Sequence, residues 1–376
     1  MLKLLIAGDY CPCDRVSDLI ESENYSEIFG EVLGYTSLAD YSIVNLEAPV
    51  VRTQAMPIEK CGPNLKCSSK ALKALKYAGF DMVTLANNHF YDYGEVGVKD
   101  TLSFCREENI DVVGGGVNLD DASRVFYKEI KGIKLAIINC CEREFSIATE
   151  CSGGANPLNP IQQYYAICAA KEKSEKIIVI VHGGHEHFNL PSPRMKEVYR
   201  FFIDAGADVV INHHQHCYSG YEVYKGKPIF YGIGNFCFDR NLQRNALWNE
   251  GYMVMLNIED GISYDIIPYL QANDSPGVHI LTKEESYNFE TRIKKLNKII
   301  SDENLLVEER EKFMAETKRG YLLPLEPYRN KYLKALYWRG LLPSTIRNRE
   351  LQLLNYLQCE SHIERLVYSL QNINKK

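Results

Sequence analysis

Six of the nine histidines fall in two short stretches, Val181-His182-Gly183-Gly184-His185-Glu186-His187 and Val209-Val210-Ile211-Asn212-His213-His214-Gln215-His216. Each stretch follows or ends a run of apolar residues without polar alternation, the pattern of a strand buried on both faces. A seventh histidine, His89, closes a third apolar run as Ala86-Asn87-Asn88-His89. Two more runs end in carboxylates: Asp9 follows residues 2–7, and Glu47 follows residues 41–45. Carboxylate, amide oxygen and imidazole together suit borderline divalent cations such as Mn, Zn or Fe. In open α/β sheets, ligands bind at the carboxyl ends of strands. Five strand ends carrying Asp9, Glu47, Asn88-His89, His182 and His214/His216 therefore predict one pocket, at one end of one sheet. It would hold two divalent metal ions, with a glutamate able to bridge them through its two oxygens.

Taken singly, these residues carry little. A lone Asp after a strand is usually a turn former, so the weight rests on the coincidence of five. His185 and His187 follow a Gly-Gly turn and read first as exposed residues, with His185 kept as a candidate. His213 reads as support for its neighbours, and His279 and His362 carry no signal. Glu144 lies in the long irregular stretch 140–160, a loop of the length that usually has a function. It is a candidate second acid or substrate contact, as well as an ordinary solvated charge.

The elements that must position these residues follow from hydropathy patterning. Strands alternate with helices, then hairpins close about Lys131-Gly132, Lys225-Gly226 and Asp260-Gly261. Residues 1–272 thus read as an α/β layered domain. Ser68 or Ser69 should cap a helix with Ala71, Leu72, Leu75 and Ala78 on its buried face, and Ser192-Pro193 should start another. From residue 273 the text turns Lys/Glu-rich and helical, a C-terminal extension whose residues 345–369 read as one amphipathic helix. That tail is a candidate protein-partner surface.

The net charge of −6 over 376 residues gives no electrostatic case for nucleic acid. Residues 1–7 are too short for the apolar core of a secretion signal, and no stretch reaches the length of a membrane span. The chain therefore reads as cytoplasmic, and its twelve cysteines as thiols. The run Gly114–Gly116 lacks the spacing of a dinucleotide-binding loop.

Seven ordered motifs resemble the CapA family of poly-γ-glutamate capsule biosynthesis proteins. They are Gly8-Asp9, Asn45-Leu46-Glu47, Ala86-Asn87-Asn88-His89 with Asp92 and Gly94, His182 with Glu186, residues 206–210, residues 213–216, and Tyr231-Gly232-Ile233-Gly234-Asn235-Phe236. The resemblance covers residues 1–240 and not the tail. That family is related to the calcineurin-like metallophosphoesterases, which implies a sandwich of two mixed sheets flanked by helices. It further implies that Asp9 and His216 bind a first ion, that Glu47 bridges, and that Asn88, His182 and His214 bind a second. His89 would be the catalytic histidine, and Glu186 would orient it or contact substrate. The sequence departs from the metallophosphoesterase pattern twice. Cys11 stands where a histidine is usual, making its thiol a candidate ligand, and Asn212 replaces a glycine.

These readings imply a metal-dependent hydrolase acting on a small-molecule or polymer substrate. The bond is a phosphoester by analogy with the superfamily or a γ-glutamyl amide by analogy with the family; a nucleotide ester is a variant of the first. The alternative is a non-catalytic assembly component of a capsule or polysaccharide system with a vestigial metal site.

Overall fold

The apolar run at the start of the chain forms a strand that outlasts its apolar residues. β1 spans Leu2–Cys11, so Gly8 and Asp9 lie inside it and not after its end. The extension comes from tertiary pairing: the far end of the strand gains a second parallel neighbour, Asn235–Phe238. Gly8 permits the approach, because a Cβ there would stand 1.9 Å from the Gly234 carbonyl oxygen.

The computed structural model describes residues 1–52, 54–240, 244–346 and 349–372. After β1 come β2 (Tyr41–Leu46), β3 (Met82–Thr84), β4 (Asp111–Val113), β5 (Gly115–Gly116) and β6 (Phe126–Ile130). Next are β7 (Ile133–Cys141), β8 (Gly154–Ala155), β9 (Lys176–His182), β10 (Val209–His213), β11 (Tyr221–Tyr224) and β12 (Lys227–Phe230). The last four are β13 (Asn235–Phe238), β14 (Glu250–Ile258), β15 (Ile262–Gln271) and β16 (Val278–Ile280).

Among the described residues these strands form two large mixed sheets and one small pair. The first sheet runs β16-β15-β14-β1-β2-β3-β4, with β13 added beside β1; the second runs β11-β12-β10-β9-β7-β6; β5 pairs with β8. The first sheet is parallel from β1 to β4 and antiparallel from β1 out to β16; the second is parallel at its centre and antiparallel at both edges. The three expected hairpins are present. The sheets face one another: Phe230 of β12 packs on Tyr252 of β14 and Tyr264 of β15, with ring centroids 6.4 and 5.1 Å apart. The expected α/β sandwich of two mixed sheets flanked by helices is thus the observed architecture.

One expectation is corrected. The strands carrying the site do not belong to one sheet. β1, β2 and β3 lie in the first sheet, and β9 and β10 in the second. A run buried on both faces looks the same in either sheet, so the sequence pattern does not say which neighbours it will take.

Helices cover the outer faces. Helix Lys70–Tyr77 buries Ala71, Leu72, Ala74 and Leu75 against the first sheet, in one cluster with Leu5, Val44, Val83 and Phe236. Neither serine caps it as expected: no side-chain cap is formed at Ser69, and the Ser68 hydroxyl donates to Glu21 instead. Helices Pro160–Lys171 and Pro193–Ala205 pack on β9 and β10. The second of these starts as expected, with Ser192 Oγ accepting from the Met195 N–H at 3.2 Å.

Met1–Leu306 and Val307–Lys376 are two compact units. The first extends past residue 272, because β16 pairs with β15 and helix Lys283–Ser301 packs through Phe289 on Tyr218, 4.9 Å between ring centroids. In the second unit the expected single helix over 345–369 is two, Glu350–Gln358 and Glu360–Gln371, broken by extended backbone at Cys359. Residues 347–348 of that span lie outside the described residues. No helix among the described residues is long and apolar enough to cross a membrane.

Candidate metal centre

The turn after β10 sets the histidines. His214 and His216 both adopt positive φ, 88° and 56°, which residues other than glycine rarely do. Contacts on every side hold this conformation. The His214 N–H donates to Asp9 Oδ2 at 3.1 Å, and Gln215 Nε2 donates to the Phe188 carbonyl at 2.8 Å. Asn212, just before the turn, is fully buried and ties three segments together. Its Nδ2 donates to the carbonyls of Gly183 (2.9 Å), His213 (2.8 Å) and Tyr231 (3.1 Å), and its Oδ1 accepts from the Tyr199 hydroxyl at 2.6 Å. A glycine there could make none of these side-chain bonds.

The carboxyl ends of β1, β2 and β3 meet this turn across the gap between the sheets. Two groups of potential ligand atoms result, Asp9/Glu47/His216 and Glu47/His182/His214, each with its atoms within 4.8 Å of one another. Glu47 is common to both. Its Oε1 lies 3.7 Å from His182 Nε2 and 3.6 Å from His216 Nε2. His182 Nε2 is also 3.0 Å from His214 Nδ1 and 3.1 Å from Asn88 Oδ1, which brings the asparagine into the second group. Asp9 Oδ1 accepts from Asn45 Nδ2 at 2.7 Å. His216 Nδ1–H donates to Asn235 Oδ1 at 3.0 Å, leaving Nε2 facing Glu47.

The electrostatics of the arrangement suit a cation. Both Glu47 oxygens are buried and accept no hydrogen bond. A buried polar atom without a partner is rare and costly. Burial first, then the neighbouring Asp9, pushes the Glu47 carboxyl well above the usual carboxylate range. Burial raises Asp9 to about 7, against its bonds from Asn45 and His214. Burial holds His214 down to about 4 and places His182 and His216 well below the ordinary histidine range. Neutral imidazoles grouped around unpartnered carboxyl oxygens form a donor set that fits divalent ions.

Beside this group stands His89. Its Nδ1–H donates to Asp92 Oδ2 at 2.7 Å. Asp92 also accepts from the Leu65 N–H at 2.7 Å and pairs with Lys60, whose side chain is 3 % exposed. Lys60 Nζ lies 3.3 Å from the same His89 nitrogen.

The other sequence candidates fall around the rim or below. Glu144 reaches the second group from the long loop, with Oε1 3.9 Å from His214 Nε2 and Oε2 accepting from Asn88 Nδ2 at 3.5 Å. Glu186 is exposed and has no hydrogen bond or ion pair among the described residues, though its charge is felt at Glu47. His185 is half-buried beside Phe188, 6.4 Å between ring centroids. His213 is buried within β10, where burial holds it down to about 3, and it joins neither ligand group. Cys11 is buried in the core cluster of the first sheet, its thiol pushed up by its bond with Cys13 and by burial, and it too joins neither group.

Sequence reasoning missed Lys60, Asn45 as the holder of Asp9, and Asn235 as the orienting partner of His216. Asn45 and Asn235 sit inside motifs already singled out. Lys60 lies in a Pro/Gly/Cys-rich loop where no spacing marks it.

Residues 3–240 match the family model described as bacterial capsule synthesis protein PGA_cap. The chain is 31% identical over 285 residues to the capsule biosynthesis protein CapA of Bacillus anthracis, covering 73% of this chain and 69% of that protein. It is 32% identical over 248 residues to the PGA biosynthesis protein CapA of Bacillus subtilis (strain 168), covering 65% of each. It thus spans about two thirds of the length of these relatives. Among solved structures, a 5'-nucleotidase precursor from Thermus thermophilus aligns with a TM-score of 0.45 at 11% identity, over 84% of this chain and 59% of that one.

Proposed function

The chain belongs to the bacterial capsule synthesis protein family, and on that premise we propose that it is a dinuclear metal-dependent hydrolase. Its reaction would be cleavage of a phosphoester or a γ-glutamyl amide in the making of capsular poly-γ-glutamate or a related surface polymer. The observation that carries this reading is Glu47, a buried carboxyl with no hydrogen-bond donor, shared by two ligand groups, one with Asp9 and His216 and the other with His182 and His214.

Asp9, Glu47 and His216 would hold one divalent ion, and Glu47, Asn88, His182 and His214 the other. Bound there, such ions supply Lewis acidity, which polarises a phosphoryl or carbonyl group and lowers the pKa of water. The chain's own residues do the rest. His89 has Nδ1–H committed to Asp92, so Nε2 is the atom left to move a proton at the leaving group. Lys60 and the Leu65 N–H hold Asp92, which keeps the ring from turning. Asn45 and Asn235 orient Asp9 and His216. Glu144 and Glu186 stand at the rim as substrate contacts.

The test joins metal analysis to a screen of phosphoester and γ-glutamyl amide substrates with manganese or zinc. Two ions per chain, lost together in Glu47→Ala, are expected, with turnover that collapses in His89→Ala while the ions stay bound. Bound ions without turnover of any substrate would indicate the assembly role instead. Purified protein that takes up no ion would overturn the reading.

A further inference from the structure

The first ligand group has a wall that the hydrolytic steps leave unused. Trp248 lies against His216 with ring centroids 4.7 Å apart, and against His187 at 5.8 Å. The indole is buried, and its Nε1–H donates to the Phe238 carbonyl at 2.8 Å, so the platform is fixed. On it rests the guanidinium of Arg240, 4.7 Å from the Trp248 ring centroid and 5.7 Å from that of Phe238. Arg240 is half-buried. The adjacent acid cannot neutralise it: Asp239 is already paired with Arg15 and Arg244, each at 2.9 Å. Among the described residues the Arg240 guanidinium has no ion pair or hydrogen bond of its own.

A guanidinium stacked on an aromatic face keeps its in-plane N–H groups free, and their fork matches the two oxygens of a carboxylate or phosphate. We propose that Arg240, on its Trp248 platform, is a substrate-binding residue that takes an oxyanion group, carboxylate or phosphate, flanking the reacting bond. Its place beside a reacting bond rests on the hydrolase reading; the anion site itself does not.

The test uses the full chain with manganese. The sequence has two tryptophans, so in a Trp338→Phe background the emission comes from Trp248 alone. Calorimetric titrations with N-acetyl-γ-glutamylglutamate, with its fully amidated neutral counterpart and with inorganic phosphate are run on this parent, on Arg240→Met and on Arg240→Lys. Thermal unfolding confirms that each variant is folded. The expected result is a loss of about 10–100-fold in affinity for an anionic probe in Arg240→Met, partial recovery in Arg240→Lys, and no loss for the neutral probe. Trp248 emission should change on anion binding. The anion that loses more identifies carboxylate or phosphate as the group taken. Undiminished affinity for both anions in Arg240→Met, an equal loss for the neutral probe, or no anion binding by the parent would overturn the proposal. Turnover is read in parallel. Arg240-dependent binding without any hydrolysis removes the hydrolase reading alone, and hydrolysis with Arg240-independent binding removes this one alone.

Discussion

Replacing Glu47 by glutamine should make the metal-free protein more stable and the metal-loaded protein less so. The swap conserves volume and removes a charge. Both Glu47 oxygens are buried without a donor, and imidazole nitrogens lie 3.6 and 3.7 Å from Oε1, close enough for an amide N–H₂ to reach after a small shift. An unpartnered buried polar group costs about 1–3 kcal/mol, and more if charged. Glu47→Gln should therefore add about 1–3 kcal/mol to the metal-free protein at pH 8. The pH dependence has a definite sign. The folded-state pKa of Glu47 lies above its ordinary value of 4.5, so the carboxyl destabilises the fold as pH rises past that value, and the advantage of glutamine vanishes at lower pH. With ions the order reverses. Ions at a hundredfold excess over their Kd stabilise the wild type by about 2.7 kcal/mol, which the variant forgoes. At about 2–4 °C per kcal/mol, adding the ion should raise the wild-type Tm by roughly 5–10 °C and leave the variant's nearly unmoved. Thermal unfolding with chelator or with manganese, at pH 5 and pH 8, reads all four states. A metal-free variant several kcal/mol less stable than the wild type, with an undiminished response to manganese, would refute the reasoning.

Ion affinity should rise with pH and level off above about 7, because Asp9 binds ions as carboxylate and burial holds its pKa near 7 without them; calorimetry in buffers of different ionisation enthalpy should detect the released proton. His89→Ala should lower turnover by about 10²–10⁴-fold with the metal content unchanged, read by elemental analysis beside steady-state rates. Asn212→Ala should destabilise the fold by about 2–4 kcal/mol, since it removes the side-chain donor of the Gly183 and Tyr231 carbonyls and the acceptor of the Tyr199 hydroxyl; denaturant unfolding measures it. Lys60→Met should cost about 3–5 kcal/mol by leaving Asp92 buried without its cation, a loss that Asp92→Asn in the same chain should partly restore.

The candidate site is legible in the sequence wherever a strand's apolar run stops at a polar side chain, and Asp9, Glu47, Asn88, His182, His214 and His216 all stand at such stops. What the pattern hides is partnership. β1 and β10 both read as strands buried on two faces, and nothing in either run tells that one joins the first sheet and the other the second. β1 continues through Gly8 and Asp9 because β13, more than two hundred residues away in sequence, pairs with it. Lys60 and Arg240 gain their meaning from single long-range contacts with Asp92 and Trp248, which no periodicity records. The break at Cys359 interrupts an apolar pattern that itself runs on unbroken, so helical spacing alone predicts one element where there are two.

The division of the ligands between opposing sheets has a consequence for biosynthesis. The oxygen donors Asp9, Glu47 and Asn88 are translated first, and the ligand imidazoles follow only from His182 onward. Of the candidate ligand set, a nascent polypeptide thus presents only the oxygen donors until His182 is made. On the proposed reading, the full donor set would exist only in molecules whose second sheet has docked, so the metal-loaded fraction of a preparation would gauge how many of its chains have finished folding.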